Sequence, residues 1–275
     1  MDLLWFLYDT VPGRLLLKPL TTPRLSRLSG RILDHPASRI LIAPFAARNG
    51  IDMAQFQEQP YGSFNEFFCR KIRSELRPVD QNPDHLASPC DGLLSVHPIS
   101  QDLVLPVKQS RYTISSLLRS RSLAKRFEGG WCMVFRLCVN HYHRYIFPSD
   151  AVKSHQIRID GVLHTVRPVA LEAVPVFQEN AREYCVLQTP RFGTVIQMEV
   201  GAMLVGRICN FSRPRRVYRG QEKGLFQYGG STIILLVQKD RVRIPQEFLG
   251  RQEVPVLMGQ MIAETVPRPR VMHGV

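Results

Sequence analysis

The chain has 275 residues, of which 44% are hydrophobic and 21% charged, so it can bury a full core and intrinsic disorder is excluded. Its formal net charge of +13 favours an anionic partner, either a nucleic acid, an anionic membrane surface or a phosphate-bearing substrate. The six cysteines form no CxxC pair and no zinc-like spacing. They therefore predict no metal site, and we interpret them as the reduced thiols of a cytoplasmic protein.

Residues 1–60 are predicted to be helical. An apolar stripe of Leu25, Leu28, Ile32 and Leu33 lies among Arg24, Arg27, Arg31 and Arg39. This pattern suits an interfacial helix in lipid headgroups, and equally a helix packed on its own domain. The apolar run Leu3–Tyr8 is far shorter than the roughly 20 residues that a spanning helix needs, so a membrane role is predicted to be peripheral.

The segment SFNEFFCRKI, Ser63–Ile72, predicts a short capped helix. Ser63 is a candidate N-cap and Glu66 follows three residues later, which is the capping-box spacing. Phe64, Phe67, Phe68 and Ile72 are predicted to form its buried face.

From Ala87 onward, short apolar runs alternate with Gly, Pro and Asp. Examples are LLSVHPI, DLVLPV, CMVFRLCV, EYCVLQT and TVIQMEVGAMLVGRI. These runs predict strands of a mostly antiparallel sheet system, interrupted by a basic helix and loop at Ser115–Phe127. The predicted fold class is therefore α+β, with amino-terminal helices followed by a mostly antiparallel β core.

Two turns and one strand end carry candidate chemistry. Gly229 and Gly230 precede Ser231 at the start of the apolar run STIILLV, so Ser231 is either part of an ordinary tight turn or a nucleophile beside an accessible carbonyl. Asp91 lies in the SPCDG turn, and HYHRYIFP places His141, His143 and Arg144 at a strand end. An Asp, a His and a Ser on separate turns could form a charge relay that activates the serine.

The basic cluster at residues 207–219 is either a solvated face or a phosphate contact. It includes Arg215 and Arg216, and with Arg144 these are the candidate phosphate ligands. The chain has no GxSxG, P-loop, GxGxxG or HExxH motif, which argues against the standard hydrolases and nucleotide-dependent enzymes. No recognition pattern for nucleic acid accompanies the net charge, so no nucleic-acid partner is predicted.

Taken in order, these motifs resemble the phosphatidylserine decarboxylase family. SFNEFFCRKIRSELRP is similar to the family's Phe-rich segment that ends in Arg-Pro, SPCDG to its SPADG-type turn, and HYHRYIFP to its DYHRxHxP stretch. VFQENAR and FGTVIQMEVGAMLVGRI resemble the strands that follow, and EKGLFQYGGST resembles the processing site, with GGST as a variant of LGST. The similarity extends from about residue 61 to residue 237.

The resemblance implies a self-processing enzyme with a helical membrane-associating segment at 1–60 and a decarboxylase domain at 61–275. In this family the serine, here Ser231, attacks the carbonyl of the preceding glycine, here Gly230, and the chain is cut between them. A covalent pyruvoyl group made from the serine then forms a Schiff base with phosphatidylserine, which is decarboxylated to phosphatidylethanolamine. Asp91 would be the relay carboxylate, the two cleaved chains would remain associated, and a homodimer is expected.

One position departs from the family pattern. Alignment on the YHR core places His143 on the first histidine of DYHRxHxP, Ile146 on the second, and His141 on the leading aspartate. Because Ile146 cannot accept a proton, the base is predicted to be His143, with His141 as the alternative. His155 or His164, approaching from another strand, also remain open.

Three functions follow from these patterns. The first is decarboxylation of phosphatidylserine by a peripheral enzyme on an anionic membrane surface, at the cytoplasmic face of a bacterial inner membrane. The second keeps the pyruvoyl chemistry with another substrate. The third is an unprocessed relative that binds anionic lipid without catalysis, which the absent second histidine keeps open.

Overall fold

A computed structural model describes residues 3–100, 113–166, 169–170, 174, 176–202, 207–211, 215–228 and 231–267. Within them the helices are α1 Leu3–Asp9, α2 Val11–Leu20, α3 Pro23–Asp34, α4 Ile42–Arg48, α5 Phe64–Phe68, α6 Ile114–Leu118, α7 Arg121–Lys125 and α8 Val176–Glu179. Short 3₁₀ turns lie at Pro36–Leu41, Met53–Gln55, Ser74–Leu76 and Gln246–Phe248.

The strands begin after the fifth helix. They are β1 His85–Ala87, β2 Gly92–Pro98, β3 Trp131–Leu137, β4 Arg144–Ile146, β5 Ala151–Lys153, β6 Ile157–Ile159, β7 Arg182–Thr189, β8 Gly193–Val200, β9 Ile208–Asn210, β10 Arg216–Val217, β11 Glu222–Phe226, β12 Ser231–Val237, β13 Val242–Arg243, β14 Val254–Val256 and β15 Met261–Thr265. The ladders that join them are antiparallel. The predicted fold class, helices followed by a mostly antiparallel β core, is confirmed.

The first helices are docked on the β core. The Thr10 hydroxyl caps α2 by accepting a hydrogen bond from the Gly13 N–H at 3.0 Å. Tyr8 is buried at the end of α1, and its hydroxyl accepts a hydrogen bond from the Thr165 N–H at 3.1 Å. In the described residues, no helix has the length and apolar character needed to cross a bilayer.

Helix α3 divides its apolar stripe between the protein and the solvent. Leu33 packs against the buried cluster of phenylalanines on α5, whereas Leu28 and Ile32 are 52% and 61% exposed. In the 3₁₀ turn that follows, Ile40 is 79% exposed. The side chains of Leu25, Arg24 and Arg27 lie outside the described residues. The helix is therefore both packed on its domain and left with an apolar outer face.

Helix α5 forms as its sequence predicts. The Ser63 hydroxyl accepts a hydrogen bond from the Glu66 N–H at 3.2 Å, while the Glu66 carboxylate accepts one from the Gly62 N–H rather than from Ser63 itself. Phe67 and Phe68 are fully buried. This variant of the capping box fixes the helix whose last turn reaches the candidate site.

The central element is a nine-stranded sheet in the order β10-β5-β7-β8-β12-β3-β2-β14, with β6 also paired to β7. Strand β12 lies between β8 and β3, and all seven of its residues are buried. Burial on both faces explains why its sequence is a continuous apolar run rather than an alternating one.

A second, three-stranded sheet of β4, β11 and β9 packs on the central sheet. The Gln197 side-chain amide on β8 donates to the Ile146 carbonyl on β4 at 3.1 Å. Lys223 on β11 forms an ion pair of 2.6 Å with Glu199 on β8, and both side chains are almost fully buried. These contacts fix the position of β4 and of the residues that precede it. A separate three-stranded sheet contains β1, β15 and β13.

The predicted basic helix and loop at Ser115–Phe127 is observed as two short helices, α6 and α7. Arg119 ends α6 in the left-handed conformation with φ 49°, and the Ser120 hydroxyl caps α7 by accepting from the Leu123 N–H at 3.3 Å. The predicted strand DLVLPV and the glycine pair Gly229–Gly230 lie outside the described residues.

Candidate active site

Ser231 is the first residue of β12, where it pairs with Leu137 at the end of β3. Its side chain is fully buried, and its hydroxyl oxygen has no hydrogen-bond partner among the described residues. Buried polar groups are nearly always paired, so an unpaired hydroxyl calls for an explanation. The hydroxyl that the sequence makes the candidate nucleophile is therefore not engaged by any described residue.

Asp91 lies at the same edge of the sheet as Ser231. Strands β2 and β12 flank β3, and both Leu93 and Thr232 pair with Arg136 near the end of that strand. Because the ladders are antiparallel, β2 and β12 begin at the edge where β3 ends. The turn that carries Asp91 and the start of the strand that carries Ser231 are therefore brought to one edge, with a single strand between them.

The carboxylate of Asp91 is held from two sides. The Arg77 guanidinium donates from Nε to Oδ1 at 2.7 Å and from Nη2 to Oδ2 at 2.6 Å. The Met258 N–H donates to Oδ1 at 2.9 Å. Asp91 is only 5% exposed. Such charge-assisted, bidentate bonds give the carboxylate a fixed orientation.

His141 lies in the turn after β3. Its Nδ1 accepts a hydrogen bond from the Cys138 N–H at 3.1 Å, so the proton of the neutral ring is on Nε2. Burial lowers the pKa of His141 below its ordinary value; Asp91 opposes this shift, and Arg136 and Arg77 add to it. The ring is therefore neutral at pH 7, with its lone pair already engaged.

His143 presents the opposite tautomer. Its Nδ1 lies 2.9 Å from the carbonyl oxygen of His141, which can only accept, so Nδ1 carries the proton and Nε2 carries the lone pair. The ring is 1% exposed and packs against Phe68, with ring centroids 4.2 Å apart and an interplanar angle of 42°. The His143 carbonyl accepts from the Phe226 N–H of β11 at 2.9 Å. This arrangement provides a fixed imidazole with a basic nitrogen.

Aromatic rings connect His143 with the chain that leads to the glycine pair. Phe68 contacts both His143 and Tyr228, the latter with ring centroids 5.2 Å apart. The Tyr228 N–H donates to the side chain of Asn65 at 3.3 Å. Tyr228 is two residues before Gly230. Helix α5 therefore contacts the histidine and the chain close to the predicted cleavage point.

Ile146, which takes the place of the family's second histidine, is a buried residue of β4. Its N–H donates to the Pro89 carbonyl of the SPCDG turn at 2.9 Å. The residue thus contributes packing and backbone bonds beside Asp91, and no proton chemistry.

The other two histidines lie elsewhere. His155 is exposed between β5 and β6. His164 contacts α1 through the Tyr8 hydroxyl at 3.3 Å and pairs with Glu179 at 3.1 Å. Neither is on a strand adjacent to β12.

The three candidate phosphate arginines are not gathered at Ser231. The Arg144 guanidinium binds the Cys69 carbonyl and the Glu222 carboxylate, each at 2.7 Å. Arg215 and Arg216 are exposed at β10, the edge strand four positions from β12 in the sheet order. At about 4.8 Å per strand, β10 lies roughly 19 Å from β12.

A pocket of about 250 Å³ opens beside Asp91. It is lined by Gly50, Ile51, Asp52, Gln55, Phe56, Arg77, Asp91, Gly92, Asn140, His141, Tyr142, Pro255, Val256 and Leu257. Within the part of the chain that the structure describes, no group of three or more His, Cys, Asp or Glu side chains could hold a metal ion.

Sequence reasoning missed a buried charge network on the face that carries Ser231. Glu199 pairs with Ile233 across the ladder, and Ile233 shares a sheet face with Ser231, two residues away. The Lys223 ammonium donates to Glu199 at 2.6 Å and to the Asn210 side chain at 2.8 Å. Burial raises the pKa of Glu199, and Lys223 opposes that shift. Glu199 and Lys223 both lie in stretches quoted from the sequence. Their pairing could not be predicted there, because it depends on the packing of two sheets.

Comparisons with known proteins give one consistent result. The profile of the family described as phosphatidylserine decarboxylase matches residues 64–264. The chain is 41% identical over 266 residues to phosphatidylserine decarboxylase proenzyme 2 of Clostridium acetobutylicum, covering 94% of this chain and 91% of that protein.

Two further relatives are the phosphatidylserine decarboxylase proenzymes of Clostridium botulinum strain 657 and of Clostridium tetani. The first is 37% identical over 246 residues, covering 86% of this chain and 83% of the relative. The second is 36% identical over 248 residues, covering 87% and 84%.

Proposed function

Because the chain belongs to the phosphatidylserine decarboxylase family and is a decarboxylase, we propose that it converts phosphatidylserine to phosphatidylethanolamine with a pyruvoyl group made from its own Ser231. The observation that carries this proposal is the buried Ser231 hydroxyl, which has no hydrogen-bond partner among the described residues and lies at the sheet edge shared with Asp91. The relatives are named proenzymes, which is consistent with a chain that must cut itself.

Self-processing begins at the hydroxyl of Ser231. Its oxygen adds to the carbonyl carbon of Gly230, the peptide C–N bond breaks, and an ester joins the two residues; the hydroxyl proton passes through a base to the freed amine of residue 231. Loss of the Cα proton of residue 231 then expels the Gly230 carboxylate. Water then replaces ammonia at the Cα of residue 231, which leaves the pyruvoyl group at the new amino terminus.

The residues present fit such a group. Ser231 supplies its three carbon atoms, water supplies the ketone oxygen, and the surrounding side chains exclude bulk water, since Ser231 and Thr232 are fully buried. When formed, the pyruvoyl group supplies an electrophilic carbonyl for the substrate amine and an electron sink for the loss of carbon dioxide.

We assign the processing base to His143. Its Nε2 carries the lone pair, because its Nδ1–H faces the His141 carbonyl, whereas the lone pair of His141 is already used by the Cys138 N–H. Because both ring nitrogens of His143 are assigned in this way, Asp91 would join the relay through the Nε2–H of His141, which lines the same pocket. His141 remains the alternative base.

The cleaved chains are expected to stay together. The carboxy-terminal chain, residues 231–275, begins with β12, which forms seven register pairs with β3 and six with β8. Its removal would open the middle of the sheet and expose a fully buried strand. Cleavage at the start of β12 therefore leaves the fold intact.

The membrane role is assigned to the amino-terminal helices. Leu28, Ile32 and Ile40 are exposed apolar side chains close in sequence to Arg31 and Arg39, a combination that suits insertion among anionic headgroups. This supports peripheral association with an anionic membrane; the cytoplasmic face of a bacterial inner membrane and the homodimer stay predictions from sequence.

The phosphate ligands also stay a prediction. Arg144 follows His143 directly, but its guanidinium is engaged by Cys69 and Glu222. Arg215 and Arg216 are exposed on the edge strand of the sheet. To bind the phosphate of a substrate at residue 231, the Arg144 guanidinium would therefore have to release Cys69 or Glu222.

Denaturing mass spectrometry of the purified protein tests the proposal. We expect two chains, residues 1–230 and 231–275, with a pyruvoyl-blocked terminus on the smaller one, and a Ser231→Ala variant that stays whole. An intact 31.5 kDa wild-type chain would instead support the unprocessed lipid-binding alternative. Formation of phosphatidylethanolamine from phosphatidylserine vesicles separates the proposed activity from a pyruvoyl enzyme with another substrate.

A further inference from the structure

The motif SFNEFFCRKIRSELRP ends in Arg77-Pro78, and Arg77 has no role in the processing chemistry described above. Arg77 follows the 3₁₀ turn Ser74–Leu76, and its Nη1 donates to the Leu76 carbonyl at 2.8 Å. Its Nε and Nη2 form the two bonds to Asp91 described above, and the two side chains are only 11% and 7% exposed. The guanidinium is thus fixed to its own backbone on one side and to Asp91 on the other.

These bonds leave Asp91 with little freedom. A carboxylate has about four acceptor positions, two on each oxygen. Arg77 uses one position on each oxygen, and the Met258 N–H uses the second position on Oδ1. The remaining position is on Oδ2, and the ring N–H that the histidine turn leaves for it is Nε2–H of His141, which lines the same pocket as Asp91.

We propose that Arg77 is a positioning residue for self-processing, which acts by presenting Oδ2 of Asp91 to the relay. Because this role depends on the proposed cleavage at Ser231, the amount of cut chain is its readout. The two contacts also come from both sides of the predicted cut, since Arg77 precedes residue 231 and Met258 follows it. The orientation of Asp91 is therefore set before cleavage by the whole precursor.

An arginine–carboxylate pair away from the candidate site provides a control. Arg243 on β13 donates from Nη2 to Glu264 on β15, in the separate three-stranded sheet. Neither residue is among those that line the pocket beside Asp91. Arg243→Ala is therefore the control for the loss of an arginine ion pair as such.

The pocket beside Asp91 makes a chemical rescue feasible. Arg77 lines this pocket of about 250 Å³, so a guanidinium ion from solution can reach the space that Arg77→Ala leaves. A positioning defect should be restored by the missing functional group, whereas a folding defect should not.

The experiment follows the conversion of freshly synthesised precursor by denaturing mass spectrometry. We expect Arg77→Ala to cut about 100-fold more slowly than wild type, which is the scale of a small misplacement in an active site. Added guanidinium chloride should restore the rate, while sodium chloride at the same ionic strength should not. Arg77→Lys keeps the positive charge but cannot form the bidentate pair, so it should be cut slowly while its melting temperature stays that of wild type. Arg243→Ala should cut at the wild-type rate.

Two results would overturn the role of Arg77. One is wild-type cleavage in Arg77→Ala or in Arg77→Lys. The other is a folded Arg77→Ala protein that guanidinium does not rescue. If the wild-type chain itself stays whole, the proposed function fails and not the assignment of Arg77 alone. If Arg77→Ala does not fold, Arg77→Lys decides the question, because its rate is compared at equal melting temperature.

Discussion

The Nδ1 nitrogen of His143 lies 2.9 Å from the carbonyl oxygen of His141. Together with the bond from the Cys138 N–H to His141, this contact gives two nearby histidines different tautomers. His143 must donate from Nδ1 and keeps its lone pair on Nε2, whereas His141 uses its Nδ1 lone pair to accept from the Cys138 N–H. The histidine that the sequence aligns with the family motif is thus also the one whose tautomer suits a base.

His143→Ala should leave the precursor almost whole, because a general base contributes about 10²- to 10⁴-fold to the rate. His141→Ala should still be cut, more slowly at most through the loss of its bond to the Cys138 N–H. Time courses of denaturing mass spectrometry measure both. Normal cleavage of His143→Ala together with a whole His141→Ala chain would transfer the base to His141.

Much of the scaffold of this site could be predicted from local pattern. The apolar run after Thr232 predicts a buried strand, and β12 is buried along its whole length between two neighbours. Ser63 and Glu66 predict the start of α5, and the Ser63 hydroxyl caps it. These features depend on residues that are close in sequence, so their signals are local.

Contacts between distant residues could not be predicted in the same way. The Arg77–Asp91 pair needs the turn after α5 to meet the start of β2, and the Lys223–Glu199 pair needs two sheets to pack face to face. The tautomer of His143 depends on a backbone carbonyl, which leaves no mark in the sequence letters. Such features follow from tertiary packing rather than from motif or period.

The stability of the protein should decrease as the pH falls below 6.5, the ordinary pKa of histidine. Burial lowers the pKa of His97, so the unfolded chain binds the proton before the folded chain does. Stability is therefore complete above the unfolded pKa and decreases as the pH falls toward the lower folded value. The His97→Gln variant should lose less melting temperature than wild type between about pH 7.5 and about pH 5.5.

His155→Gln, at an exposed position, is the control for that measurement. It should keep the wild-type dependence of melting temperature on pH. An equal decrease in wild type and His97→Gln would mean that the burial of His97 does not contribute to acid sensitivity.

The central position of β12 predicts both stability and chain association. Ile234 is fully buried on this strand, so Ile234→Ala should lower the free energy of unfolding by about 2–5 kcal/mol. Ile157→Ala, the same change at a position that is 39% exposed, is the control and should cost far less.

In wild type, the two cleaved chains should co-elute in native size-exclusion chromatography and separate only in denaturant. Separation without denaturant would contradict the role of β12.

The buried pair of Lys223 and Glu199 should be costly to break on one side only. Lys223→Met leaves an uncompensated buried carboxylate and should destabilise the protein by about 3–5 kcal/mol. The double variant Lys223→Met/Glu199→Leu removes both charges and should recover most of that loss. Chemical denaturation of the three proteins measures this, and an equally unstable double variant would show that the pair's hydrogen bonds, rather than the unpaired charge, determine the cost.

The exposed face of α3 and of the following turn should bind membranes. Ile32 and Ile40 are 61% and 79% exposed, and burying such a side chain contributes about 1.5–3 kcal/mol, or roughly a factor of 10 to 100 in partitioning. Ile32→Glu and Ile40→Glu should therefore weaken sedimentation with phosphatidylserine vesicles while leaving self-cleavage unchanged. Ile157→Glu makes the same change on β6 and should bind as wild type does. If all three variants bind equally, the membrane surface lies elsewhere on the chain.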